Sequence, residues 1–202
     1  MNNIKTYTLF AGVNGAGKST FFNSLDIDFG TKINVDEIVR NQFNHDWQNS
    51  NAQIHAGRIA IILLRDCLRG DFSFIQETTL TGLTIISNIK KAKANGFMIN
   101  LYYIGLESVE LSIERVAIRE KAGGHGISEE DLRRRYMASF ENLKLVLPMC
   151  DRVQIYDNSR LDPFDILSPL LIVKNNKEIK WNEIYCPQYL IDILQDYRKR
   201  LK

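Results

Sequence analysis

The chain has 202 residues, of which 45% are hydrophobic, so it can bury one sizeable core and is expected to form a single domain with a small appendage. Its net charge of +2 is too small to demand nucleic acid or an anionic membrane, and neither is predicted as a partner. Three widely spaced cysteines argue against a disulfide framework, and the lack of a signal-peptide pattern or a membrane-length apolar run favours the cytoplasm.

The first predicted elements are a buried strand, Thr6–Ala11, and a helix, Lys18–Leu25, joined by a glycine-rich loop. The loop fits G-x-x-x-x-G-K-[ST] at every fixed position, which is the pattern of a phosphate-binding loop, or P-loop. Its glycines let backbone N–H groups point at phosphate oxygens, while Lys18 can reach the terminal phosphates and Ser19 can bind Mg²⁺. A mere linking turn is the alternative, but the flanking elements favour a nucleoside triphosphate held by Gly12, Asn14, Gly15, Ala16, Gly17, Lys18, Ser19 and Thr20.

Farther along the chain, apolar strand-like runs alternate with amphipathic runs of helix length, which indicates a parallel sheet covered by helices. The next predicted strands are Thr31–Val35, Phe72–Gln76, Met98–Ile104 and Arg152–Tyr156. The next predicted helices are Asp36–Phe43, Asn51–Arg69, Leu83–Asn95, Ser108–Lys121 and Ser128–Leu147. We therefore predict an α/β fold of P-loop NTPase type, with three layers built around a five-stranded, mainly parallel sheet.

The pattern changes after the fifth strand, with Asp162-Pro163 as a break. A β-hairpin and a closing helix are predicted beyond it, at Leu167–Val173, Glu178–Trp181 and Gln188–Leu201. So short a segment seldom folds alone, so we expect it to pack on the rest of the chain. The predicted units are a core of residues 1–160, including a lid at about residues 119–135, and an appendage of residues 161–202.

Other motifs select among the classes of P-loop protein. A GTPase would need N-K-x-D, and Asn176-Lys177-Glu178-Ile179 has no acid at the fourth place. A transporter ATPase would need a signature like L-S-G-G-Q, which the sequence does not contain. Small-molecule kinases remain, and these need a carboxylate near the acceptor hydroxyl and cations around the transferred phosphoryl group.

Side chains at two predicted strand ends can supply the carboxylates. Asp36 follows the second strand at the carboxyl edge of the sheet, where ligands bind in open α/β folds, although a helix N-cap is the alternative role. Glu77 follows the third strand and can hold Mg²⁺ through water or orient the substrate, unless it is simply an acid in a solvated turn. With the hydroxyls of Thr78 and Thr79 facing the same cleft, these four residues are predicted to bind the substrate, and Ser19 and Glu77 to bind the metal.

A cationic lid is predicted around Gly123–Gly126, in which three glycines of four residues indicate a hinge. Arg115 and Arg119 lie one helical turn apart before the hinge, and Arg133–Arg135 open the helix after it. These arginines can surround a γ-phosphate, although the apolar stripe of the second helix puts at least one of the three on a solvated face. His125 can bind phosphate or a carboxylate, but a histidine in a glycine turn is expected to be merely exposed.

Taken together, these residues resemble the zeta toxin family of P-loop kinases, in its short stand-alone branch. The resemblance covers about residues 5–160 and rests on Gly12–Thr20, Asn34–Ile38, Glu77–Gly82, Arg115–Arg119, Gly123–Ile127, Arg134–Tyr136 and Asp157–Ser159. It implies that Asp36 is the base that deprotonates a sugar hydroxyl, and that Lys18 and two lid arginines stabilise the transferred phosphoryl group. Arg119 and Arg134 are predicted to be these two arginines, and Arg115 and Arg135 are the alternatives.

The resemblance also implies a function. It predicts a kinase with ATP and Mg²⁺ as cofactors that phosphorylates a small molecule with a free hydroxyl, such as the nucleotide sugar UDP-N-acetylglucosamine, and a toxin held in check by an antitoxin protein. The chain departs from the family in being shorter and in having Ser128 where proline is expected after the hinge. The alternative is a nucleotide-gated P-loop ATPase that binds nucleic acid or a partner protein through Arg133–Arg135, without kinase activity.

Overall fold

Seven strands form one sheet in the computed structural model, which describes residues 4–25, 30–44, 49–160 and 168–201. They are Thr6–Gly12 (β1), Thr31–Ile33 (β2), Phe74–Thr78 (β3), Met98–Gly105 (β4), Arg152–Asp157 (β5), Leu171–Lys174 (β6) and Lys177–Trp181 (β7). Their order across the sheet is β2-β3-β1-β4-β5-β6-β7. The first five strands run parallel, and β6 and β7 are antiparallel to their neighbours.

The predicted α/β fold with a mainly parallel sheet is confirmed, but the predicted number of five strands is wrong. The hairpin strands join the same sheet because β6 pairs with the outer edge of β5, which would otherwise leave backbone N–H and C=O groups without partners. Leu171 and Val173 of β6 are also buried in the core. The predicted break at Asp162-Pro163 and the predicted hairpin start at Leu167 lie outside the described residues, and a domain boundary at residue 160 stays a prediction.

Seven α-helices flank the strands within the described residues. They are Lys18–Ser24 (α1), Val35–Gln42 (α2), Ser50–Gly70 (α3), Leu83–Ala94 (α4), Val109–Lys121 (α5), Glu129–Val146 (α6) and Gln188–Arg198 (α7). Each was predicted, and only α7 differs by more than one residue at either end, since it stops at Arg198 rather than Leu201. None of these helices has both the length and the apolar character needed to cross a membrane.

The register of the parallel strands brings the predicted site residues to one edge of the sheet. Residues of β1 from Tyr7 to Ala11 are buried in succession, and because neighbouring side chains point to opposite faces, both faces of the sheet are covered there. Ala11 pairs with Thr78 of β3, and Gly12 pairs with Ile104 of β4. The P-loop, the start of α2 and the end of β3 therefore meet at the carboxyl edge, where α/β folds bind ligands.

Candidate active site

The P-loop has a backbone shape that requires glycine at its ends. Gly12 has a φ of +146°, and a Cβ atom on it would lie 2.1 Å from the backbone oxygen of Ile104. Gly17 has a φ of +82° and precedes α1, whose first turn receives no side-chain cap. Backbone N–H groups at an uncapped helix start can bind phosphate oxygens. The loop thus has the local features expected of a phosphate cradle.

Lys18 lies over this loop, in a buried position. Its Nζ atom donates hydrogen bonds to the backbone oxygens of Gly12 at 3.0 Å and Val13 at 2.9 Å. Burial lowers the pKa of the ammonium group to about 8, although the nearby carboxylates of Glu77 and Asp36 act in the opposite direction. Lys18 therefore stands between the P-loop and the two acids, which is the position needed to bind phosphate oxygens.

The two predicted metal ligands contact each other. Ser19 Oγ donates to Glu77 Oε1 at 2.7 Å, although the residues are far apart in the chain. A hydroxyl and a carboxylate oxygen are ligands of the type that Mg²⁺ takes in nucleotide sites, where phosphates and water complete its shell. The described residues include no group of three or more histidine, cysteine or acidic side chains that could hold a metal by themselves. The arrangement therefore fits a cation that is bound together with a nucleotide.

Asn34 is a site residue that was not among the predicted ones. Its Nδ2 atom donates to Glu77 Oε2 at 2.6 Å, and its Oδ1 atom accepts from the backbone N–H groups of Asp36 at 2.9 Å and Glu37 at 3.3 Å. Asn34 is thus the N-cap of α2, and the alternative that Asp36 caps this helix is wrong. An asparagine between a strand and a helix is a common cap, so the sequence did contain this part of the signal.

Asp36 lies in the first turn of α2 with an exposed side chain. No described residue forms a hydrogen bond or ion pair with its carboxylate. Burial lowers the pKa of both Lys18 and His125, and the negative charge of Asp36 is close enough to both to oppose this lowering. The neighbouring acid differs, because the Glu37 carboxylate pairs with Lys32. Asp36 is therefore a carboxylate without a partner among the described residues, and its charge acts on both the P-loop lysine and the lid histidine.

Both predicted substrate-binding threonines have partners in the turn after β3. Thr78 Oγ1 accepts from the backbone N–H of Leu80, which has a positive φ of 61°. Thr79 Oγ1 lies 3.0 Å from Thr81 Oγ1. Asn142 of α6 donates to the backbone oxygen of Leu80 at 2.7 Å and holds the turn from outside. The threonines shape this turn, and their contact with a substrate stays a prediction.

The lid arginines divide into two groups. Arg119 donates to the backbone oxygen of His125 at 2.6 Å, and its positive charge is close enough to Lys18 to lower the lysine's pKa. The positive charge of Arg135 acts in the same way on the pKa of His125. Arg133 pairs with Glu110 and Glu129, and Asp131 pairs with Arg134 at 2.6 Å and, at the longer distance of 3.9 Å, with Arg135. The charges of Arg119 and Arg135 thus act on Lys18 and His125, and Arg133 lies on the solvated face expected for one of the three.

His125 is more enclosed than expected. The prediction of a merely exposed histidine is wrong, because the side chain is half-buried and burial lowers its pKa. The Asp36 carboxylate opposes this effect, while Arg119 and Arg135 add to it. Arg115, one turn before Arg119, is half-buried, and its buried Nε atom has no hydrogen-bond partner among the described residues. Arg115 packs beside Gly15 of the P-loop and donates to the backbone oxygen of Ser159 at 3.5 Å.

The segment after β5 supports the P-loop from the other side. Asn158 Nδ2 donates to the backbone oxygen of Ala16 at 3.0 Å. Ser112 of α5 donates to the backbone oxygen of Asn14 at 2.7 Å, so two loop carbonyls are fixed by side chains. Asn158 is not among the predicted site residues, although it belongs to a segment that matches the family pattern. Its contact spans most of the chain, and no local pattern could have revealed it.

Comparison with known proteins identifies relatives over most of the chain. The family model for zeta toxin matches residues 3–165. An uncharacterized protein of Haemophilus influenzae is 40% identical over 128 residues, which are 63% of this chain and 89% of that protein. The range of the family model includes the P-loop, α2 with Asp36, the end of β3 and the lid.

Solved structures have a similar fold. A chain of the PezAT chromosomal toxin–antitoxin system of Streptococcus pneumoniae has a TM-score of 0.62 at 18% identity, over 99% of this chain and 87% of that one. A chain of the AvrRxo1-ORF1:-ORF2 complex with ATP has a TM-score of 0.66 at 13% identity, over 98% of this chain and 64% of that one. This chain therefore spans less than two thirds of the second protein. These structures show a shared fold, and the family model, which covers more than half of the sequence, shows that the chain belongs to the zeta toxin family.

Proposed function

We propose that this protein is a kinase that transfers the γ-phosphoryl group of ATP to a hydroxyl group of a small molecule. One observation carries the proposal: the Asp36 carboxylate has no partner among the described residues and lies close enough to Lys18 to affect its pKa. A carboxylate available beside a P-loop lysine can accept the proton of an alcohol that lies next to the γ-phosphate. The adjacent acid differs, because Glu37 pairs with Lys32.

The nucleotide is held by the P-loop in this proposal. The loop N–H groups bind the phosphate oxygens, and the Lys18 ammonium turns from the carbonyl groups of Gly12 and Val13 to the terminal phosphates. Ser19 and Glu77 hold Mg²⁺, which when bound neutralises charge on the phosphate oxygens. An ATP complex among the structures of similar fold supports ATP as the nucleotide.

The transfer step uses Asp36 and the lid. The acceptor hydroxyl gives its proton to the Asp36 carboxylate as its oxygen bonds to the γ-phosphorus, and the bond from phosphorus to the bridging oxygen breaks to release ADP. We assign the charge-stabilising pair to Arg119 and Arg135, because their positive charges act on Lys18 and His125. Arg134 remains the rival, since closure of the glycine hinge can release it from Asp131.

The proposed acceptor is a nucleotide sugar such as UDP-N-acetylglucosamine, and the proposed partner is an antitoxin protein. Membership of the zeta toxin family supports both. The toxin–antitoxin system of S. pneumoniae among the similar structures further supports an antitoxin. Growth arrest on expression of the wild-type protein, with normal growth on expression of Asp36→Asn, is the expected outcome if phosphorylation is toxic.

The decisive experiment is phosphoryl transfer from labelled ATP. The purified protein is incubated with Mg²⁺, ATP labelled in the γ-phosphate and either UDP-N-acetylglucosamine or a bacterial metabolite extract, and labelled products are identified by mass spectrometry. A labelled organic phosphate that Asp36→Asn does not form is expected. Label released only as inorganic phosphate would contradict the kinase proposal and favour the nucleotide-gated binding protein.

A further inference from the structure

One side chain joins the predicted metal ligand to the helix that carries the predicted base. Asn34 uses both ends of its amide: Nδ2 donates to Glu77 Oε2 at 2.6 Å, and Oδ1 accepts from the backbone N–H of Asp36 at 2.9 Å. The side chain is buried, with 8% of its surface exposed, so these contacts do not compete freely with water. We propose that Asn34 is a positioning residue that fixes the Glu77 carboxylate for Mg²⁺ binding and sets the position of this carboxylate relative to Asp36.

The chemistry of the amide explains why asparagine is suited to this position. An asparagine side chain has an acceptor oxygen and a donor nitrogen held in one plane. The oxygen meets the N-terminal N–H groups of α2, and the nitrogen meets a carboxylate. An aspartate would repel Glu77, whereas a serine could cap the helix through its one hydroxyl but would lack the second polar atom that carries the donor to the carboxylate. Only an amide satisfies both neighbours.

Binding of Mg²⁺ would make the hydrogen bond from Asn34 to Glu77 more important for the orientation of the carboxylate. Glu77 has two hydrogen-bonded oxygens, one of which accepts from Ser19. This inference rests on the proposed function, in which the Ser19 hydroxyl turns to the cation and no longer donates to Glu77. The Nδ2 atom of Asn34 then remains to orient the carboxylate. Groups that orient a metal ligand typically change metal affinity or activity by about 10–100-fold when they are removed.

A merely structural role has to be separated from this one, because Asn34 also caps α2. Asn34→Ser keeps a capping oxygen and removes the donor to Glu77, whereas Asn34→Ala removes both. Asn49 provides a matched control, since its Oδ1 atom caps α3 through the same pair of bonds, to the N–H groups of Asn51 at 3.0 Å and Ala52 at 3.3 Å. Asn49→Ser thus makes the same change at a helix start outside the proposed site.

The test measures how much Mg²⁺ is needed for half-maximal binding of a fluorescent ATP analogue. Asn34→Ser is expected to raise this concentration by about tenfold, while Asn49→Ser leaves it unchanged and both variants keep melting temperatures within a few degrees of the wild type. Glu77→Gln should cause a similar rise, and adding Asn34→Ser to Glu77→Gln should cause little more, because Asn34 acts through Glu77.

Two results would overturn the inference. One is a wild-type Mg²⁺ requirement in Asn34→Ser. The other is a rise in the Mg²⁺ requirement that is equal in Asn34→Ser and Asn49→Ser and that adds to the rise caused by Glu77→Gln. Either result would make Asn34 a helix cap alone. The proposed kinase function is judged separately by phosphoryl transfer, since the binding measurement needs no acceptor. A shifted Mg²⁺ requirement without a phosphorylated product would retain the role of Asn34 and reject the kinase.

Discussion

The hydroxyl group of Tyr189 in α7 donates a hydrogen bond to Asp157 Oδ1 at the end of β5, at 2.6 Å. Burial and the negative charge of Asp157 both raise the pKa of this tyrosine, so it stays a donor. The next residue, Asn158, donates to the backbone oxygen of Ala16 in the P-loop. The adjacent residues Asp157 and Asn158 therefore connect the C-terminal helix to the P-loop.

Removal of the Tyr189 hydroxyl is expected to weaken both the fold and the cradle. Tyr189→Phe deletes one hydrogen bond to a carboxylate, which typically stabilises a protein by roughly 1.5–3 kcal/mol. We expect the free energy of unfolding in urea to fall by about 1–2 kcal/mol and ATP binding to weaken several-fold. Tyr185→Phe is the control, because that ring is 67% exposed and should tolerate the change. Equal stability of the two variants would show that the bond to Asp157 contributes nothing.

Substitution of Asp36 tests the proposed base. Asp36→Asn removes the proton acceptor but keeps the size of the side chain and leaves the Asn34 cap intact. ATP affinity should stay close to that of the wild type, while the turnover number should fall by about 10²–10⁴-fold. Product formation at saturating ATP and acceptor checks the turnover, and calorimetry checks the affinity.

Glu37 supplies the control for this experiment, since it lies in the same turn and pairs with Lys32. Glu37→Gln should keep most of the turnover and change mainly stability, by less than about 1 kcal/mol. Turnover by Asp36→Asn at the level of Glu37→Gln would remove Asp36 from the base role.

The lowered pKa of Lys18 predicts a pH dependence of ATP binding. Burial lowers this pKa to about 8, so the nucleotide-free protein loses the ammonium charge as the pH rises through that value. Only the charged form attracts phosphate, and bound phosphate favours it, so ATP affinity should be highest below pH 8 and fall by about fivefold between pH 8 and pH 9. Titration calorimetry at pH 7, 8 and 9 measures this fall.

Lys18→Arg is the control, because arginine stays charged over the whole range. We expect its ATP affinity at pH 7 to be lower than that of the wild type, because the larger guanidinium group does not fit the same space, but to vary little from pH 7 to pH 9. A wild-type affinity that is constant with pH, or an equal fall in Lys18→Arg, would contradict the assignment of the titration to Lys18.

The lid arginines can be ranked by single substitutions. Arg119→Ala and Arg135→Ala should each lower the turnover number by roughly 10²–10³-fold, because each removes a cation proposed to face the transferred phosphoryl group. Arg133→Ala is the control, since its guanidinium pairs with Glu110 and Glu129 at the surface. It should change turnover by less than about twofold and stability little, because exposed ion pairs stabilise a protein weakly.

Arg134→Ala decides between the two candidate pairs. Turnover near the wild-type value would support Arg135, whose charge acts on His125. A large loss in Arg134→Ala with normal turnover in Arg135→Ala would instead favour the pair implied by the family resemblance. Steady-state rates for the four alanine variants at saturating ATP and acceptor are sufficient for this comparison.

Several site features could be predicted from the sequence because short-range patterns encode them. The P-loop is defined by residues within one turn and its flanking elements, and the period of apolar residues identified every described helix. Asp36 and Glu77 were recognised because acids directly after buried strands lie at the carboxyl edge of a parallel sheet. Their proximity to Lys18 follows from the sheet order, which the alternation of strands and helices makes predictable in outline.

Other features depend on contacts between distant parts of the chain. The bond of Asn34 to Glu77, the support of the P-loop by Asn158 and the addition of the hairpin to β5 join segments whose separation carries no sequence pattern. The choice between Arg134 and Arg135 depends on the rotation of α6, because adjacent residues on a helix point about 100° apart. The sequence by itself thus determined the P-loop, the acids and the elements that carry them. Only the tertiary structure decided which side chains meet, because packing against the core fixes the rotation of each helix and the partner of each strand edge.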